Sequence, residues 1–142
     1  MPYVVGIVLS LGVASFARVV GFDRNRAFYP TVLIVVASYY VLFAAMSAST
    51  HAVVLESLVM TGFVIAAVIG FRTSGWVVVA ALAGHGLLDA THAHVIHNAG
   101  VPVWWPAFCL AFDLAAAGSL AWLASRCPDS SVDMTSRALR SS

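Results

Sequence analysis

Lysine is absent from this chain: all seven of its basic residues are arginines. Charge of either sign is scarce, at 9% of residues against about 25% in a soluble domain. In its place, 61% of the residues are hydrophobic and the mean hydropathy is +0.95. A soluble core of 142 residues cannot bury that much apolar surface, so the class is a polytopic membrane protein. The formal net charge is +1 and the arginines form no basic patch, which excludes nucleic acid as a partner. Two cysteines at unrelated spacing make neither a disulfide framework nor a metal ribbon. The first apolar run lacks a basic leader and exceeds the usual length of a signal-peptide core. It therefore reads as a retained first span.

Five apolar stretches are present, at 3–20, 30–48, 52–70, 76–97 and 106–125. Each is long enough to cross about 30 Å of hydrocarbon as a helix. They are too uniformly apolar for the alternation of a membrane β-barrel, and a helix satisfies its own backbone groups, as lipid demands. The expected fold is all-α, a single five-helix transmembrane bundle over 1–125, with a polar, disordered tail at 126–142. Pro30 suits the first turn of the second helix, where its missing N–H is not needed. Arg18, Arg24, Arg26, Arg72, Arg126, Arg137 and Arg140 all fall on one side of a five-span chain. By the positive-inside rule that side is cytoplasmic, with the N-terminus outside and the C-terminus inside. Trp104 and Trp105 then lie at the outer interface, and Trp76 and Trp122 near the inner one.

Against this apolar background, the stretch GHGLLDATHAHVIHN at 84–98 stands out, holding four of the five histidines and one acid. At about 100° per residue, His85, Asp89 and His92 fall within an arc of roughly 60° on one helix face. His94 points to the other side. Glu56 in the third span and Asp113 in the fifth add carboxylates, and Cys109 shares the Asp113 face one turn away. At about 1.5 Å per residue, Glu56 lies roughly 6 Å below the outer end of its span, and Asp89 and Asp113 roughly 12 Å below theirs. Ionisable groups are costly in lipid, so this agreement in depth points to one cluster facing the bundle interior.

Three chemistries suit such a cluster. A metal site would take His85, Asp89, His92 and Asp113 as ligands, with zinc or iron the suitable ions and a Cys109 thiolate favouring zinc. Glu56 and Asp113 are the candidate catalytic acid–base groups, with Glu56 the general base nearest the aqueous face. Acid–base chemistry without a metal, or a proton or cation path, are the other two. Structural readings stand beside these: a core histidine at His85, protonated helix–helix glue at Asp89 and Asp113, and a small hydrophobe at Cys109. His51, His94 and His97 read as solvated boundary residues. Tyr39 and Tyr40 read as packing residues, one of which could donate a hydrogen bond into the cluster. Arg24 and Arg26 read as topology determinants with a secondary contact to lipid phosphate.

The order of Glu56, GFRTS, GHGLLDATHAH and then FCLAFD resembles a group of small uncharacterised bacterial multi-span membrane proteins, over about 18–113. The resemblance implies no activity; it implies only that Glu56, His85, Asp89, His92, Cys109 and Asp113 form a set, and the expected location is a bacterial inner membrane. The expected function is a membrane-embedded, metal-assisted or acid–base enzyme acting on a lipid or other apolar molecule. Hydrolysis fits the metal-bearing version and isomerisation the metal-free one. A proton or divalent-cation transporter or channel is the alternative, and a non-catalytic subunit or assembly factor the next. The partners expected are the bilayer, an apolar substrate and a second copy of the chain.

Overall fold

Ser49 and Ser74 each accept a backbone N–H with the side-chain oxygen, from Ala52 and Trp76 respectively, and so start two of the helices. Gly21 ends the first helix in the left-handed region at φ 85°, a conformation glycine adopts without a Cβ penalty. The computed structural model describes residues 1–126 as helices and short connections, with no strand among them. In chain order the helices are α1 (Pro2–Val20), α2 (Phe28–Met46), α3 (Thr50–Arg72), α4 (Gly75–Val95) and α5 (Trp105–Arg126), with a single 3-10 turn at Phe22–Arg24. Pro30 sits in the first turn of α2. The tail expected from 126 onward lies, past Arg126, outside the described residues.

Four of the helices, α1, α2, α3 and α5, are long and apolar enough to cross a membrane. The exception is α4, whose apolar run is broken by His85, Asp89, His92 and His94. Its buried residues explain how it fits: Val78, Leu82, His85, Asp89 and His92 recur every three or four positions and form one inward stripe. The polar part of that stripe lies at one end of the bundle. At the other end Val78 and Leu82 join Tyr29, Leu33, Ala67, Ala116 and Ala117 in an apolar core.

Packing is sequential around α4 and α5. α2 lies on α3, α3 on α4 and α4 on α5, with α2 also touching α4 and α5. α1 packs closely on α5 and the 3-10 turn, and its backbone approaches none of the other helices as closely. Small residues set the close approaches. A Cβ at Gly6 would come within 2.4 Å of the Phe108 carbonyl oxygen, and one at Gly70 within 2.4 Å of Val78 Cγ2. Large apolar side chains such as Val4, Val8, Leu58 and Ile65 are exposed on the outer faces of α1 and α3.

Candidate metal centre

Gly86 brings α5 against α4: a Cβ there would meet the Leu110 carbonyl oxygen at 3.3 Å and Asp113 Cβ at 3.4 Å. The close approach puts Asp113, which is fully buried, beside His85. His85 Nδ1 lies 2.6 Å from Asp113 Oδ2 and 3.5 Å from Asp89 Oδ2, one turn along its own helix. One donor atom from each of His85, Asp89 and Asp113 lies within 4.8 Å of the others, so the three could hold a metal ion. Phe63 of α3 meets the His85 ring edge-on at 4.7 Å and closes that side with an apolar wall.

Tyr40 reaches in from α2 and donates its hydroxyl to Asp89 Oδ1 at 2.6 Å. Its ring packs on His92, with centroids 4.2 Å apart, and so links the metal group to a second polar pair. In that pair His92 Nε2 lies 2.8 Å from Glu56 Oε1. Asn98, in the connection after α4, donates its amide to Glu56 Oε1 at 2.9 Å and to the Tyr40 carbonyl at 3.1 Å. The Asn98 side-chain oxygen accepts from the Gly100 N–H at 3.2 Å, which ties the connection to the site.

The structure thus divides the set named from sequence. His85, Asp89 and Asp113 converge on one point. His92 turns to Glu56, in a separate pair one turn further along α4. Cys109 is buried on the Asp113 face of α5 but contributes no atom to the converging group. His51, His94 and His97 are exposed, and Tyr39 packs between Phe43 and Trp105 rather than on the cluster. Asn98, which follows the fourth apolar stretch, joins the site although it belongs to no sequence motif. Its only signal was an amide directly after a histidine-rich helix end.

Two carboxylate oxygens of the group, Asp89 Oδ2 and Asp113 Oδ1, are buried without a hydrogen-bond partner. A buried oxygen of this kind is expensive unless a proton or cation satisfies it. Two carboxylates and one imidazole in an apolar surround make a donor set suited to a divalent cation. Tyr40 supplies an outer hydrogen bond of the kind that orients such a ligand, to Asp89, whereas Asn98 bonds Glu56. Comparison with protein-family models, with curated proteins and with solved structures gives no match to this chain.

Proposed function

We propose that this chain is an integral membrane enzyme that holds a divalent cation, zinc or iron, at His85, Asp89 and Asp113 and acts on an apolar substrate. The observation that carries the reading is the meeting of two buried carboxylates at one imidazole, with an oxygen of each left unpartnered. A cation there would polarise a substrate oxygen and lower the pKa of bound water, which favours hydrolysis. Glu56, held by His92 and Asn98, is the neighbouring acid–base group. Asp113 acts as a ligand and orients His85.

In this reading all five helices cross the bilayer, α4 included, because its polar stripe is turned into the bundle and away from lipid. The arginine pattern orients the N-terminus outward and the C-terminus toward the cytoplasm, which puts the polar cluster in the outer half of the membrane. The proposed location is a cell membrane, which the four long apolar helices support. A transport role is disfavoured by the apolar core of Leu33, Val78, Leu82 and their neighbours, which any ion would have to cross. A purely structural subunit would leave the two carboxylate oxygens that lack a hydrogen bond, Asp89 Oδ2 and Asp113 Oδ1, without a purpose.

Elemental analysis of the detergent-purified protein tests the proposal. Near-stoichiometric zinc or iron in wild type, lost in His85→Ala with Asp89→Ala, supports it. Metal-free wild type after metal-replete growth overturns the metal site. Ion flux in proteoliposomes that requires Asp89 would favour the transporter instead.

A further inference from the structure

A cavity of about 900 Å³ runs between α1, α2 and α5. It reaches from Met1, Pro2 and Trp104 at one end of α1 to Phe22 and Asn25 at the other, essentially the whole length of that helix. It exists because α1 is fastened to α5 through Gly6, while its backbone stays away from that of α2. Its walls are mostly aliphatic or aromatic, and lining residues Val5 and Leu9 of α1 and Val35 of α2 are exposed, so it opens on the outer surface between these two helices. The floor is formed in part by Cys109 and Val36. Cys109 stands one helical turn from Asp113, and Val36 one turn from Tyr40. One layer of side chains therefore separates the groove from the metal group. At the end nearer the polar cluster, the Trp105 indole N–H also lies buried without an acceptor.

We propose that this groove binds the hydrocarbon chain of a bilayer lipid, which enters sideways between α1 and α2 and lies alongside the His85–Asp89–Asp113 centre. Resting on the enzyme reading above, this makes the substrate class a long-chain lipid. The chain reaches the groove without leaving hydrocarbon, so entry costs no aqueous transfer. The volume lies in the upper part of the range for specific small-molecule sites, about 300–1,000 Å³. The Trp105 N–H would take an oxygen at the polar end of the lipid, since tryptophan favours the boundary where one side is apolar and the other wet.

The test places the full-length protein in phosphatidylcholine nanodiscs containing a phosphatidylcholine with a diazirine in its acyl chain. After irradiation, adducts are mapped by mass spectrometry, and bound metal is measured on the same sample. Adducts should concentrate on Val5, Val13 and Phe108 over Leu58 and Ile65 of the outer α3 face. In Leu9→Trp with Val32→Trp, which fills the groove, the groove adducts should fall several-fold while those on α3 stay. Equal labelling of the groove and the α3 face in wild type means ordinary bilayer contact and overturns the proposal. Groove residues left unlabelled while the nanodiscs hold two copies of the chain overturn it as well, in favour of a dimer seam. Selective groove labelling without metal upholds lipid binding and removes only the metal reading. Metal without selective labelling does the reverse.

Discussion

Tyr40 on α2 donates its hydroxyl to Asp89 Oδ1 on α4 at 2.6 Å, while its ring lies against His92. One side chain thus holds a metal-group carboxylate and contacts the Glu56–His92 pair. Tyr40→Phe keeps the ring and removes the hydroxyl. Outer hydrogen bonds of this kind are worth about 10–100-fold in metal affinity. We expect a drop of that size in chelator competition, with the helical circular dichroism unchanged. An affinity equal to wild type would deny Tyr40 any part in orienting Asp89.

Asp113 is the closest partner of His85, at 2.6 Å and wholly buried. Asp113→Asn preserves the shape and removes the charge, so it should lose the metal while folding. Asp113→Ala should also destabilise the bundle, by about 1–3 kcal/mol, because a buried ring nitrogen of His85 loses its hydrogen-bond partner. Thermal unfolding in detergent, with metal analysis, distinguishes the two variants. Retention of metal by both would exclude Asp113 as a ligand.

Gly6 and Gly12 lie on the same helix and should respond oppositely. A Cβ at Gly6 meets the Phe108 carbonyl oxygen at 2.4 Å, and one at Gly12 meets nothing within 4 Å. Gly6→Ala should cost about 1–3 kcal/mol by forcing α1 away from α5. Gly12→Ala should be neutral or stabilising, by up to about 1 kcal/mol from helix propensity. Melting temperatures in one detergent compare them, and equal values would mean that α1 does not depend on this close approach.

Asn98 ties the connection between α4 and α5 to Glu56 and to the Tyr40 carbonyl. Asn98→Ala removes one of the two side-chain donors to the buried Glu56 Oε1 and a second donor to the helical Tyr40 carbonyl, at about 1–3 kcal/mol. Amide exchange at 96–104 should accelerate while exchange in α3 and α5 stays slow. Unchanged exchange in the connection would show that other contacts hold it.

Much of the architecture was legible because long, uniformly apolar runs leave the chain few choices. Long apolar runs must become helices, and the five expected stretches match α1–α5 to within a few residues at their ends. The stripe of His85, Asp89 and His92 was legible for a related reason, since helical periodicity alone decides which residues share a face. That α4 would fall short of the hydropathy of the other four follows from that same stripe.

By itself, then, the sequence determined that helices form and that polar groups on three of them lie at similar depth. Only the tertiary structure decided which of those groups meet. Gly86 lets α5 approach closely enough for Asp113 to reach His85, whereas the Glu56 carboxylate is taken by His92 and Asn98. Periodicity fixes an angle around one helix axis. Partnership depends on interhelical distance and rotation, which arise from small residues and side-chain packing contributed by distant parts of the chain.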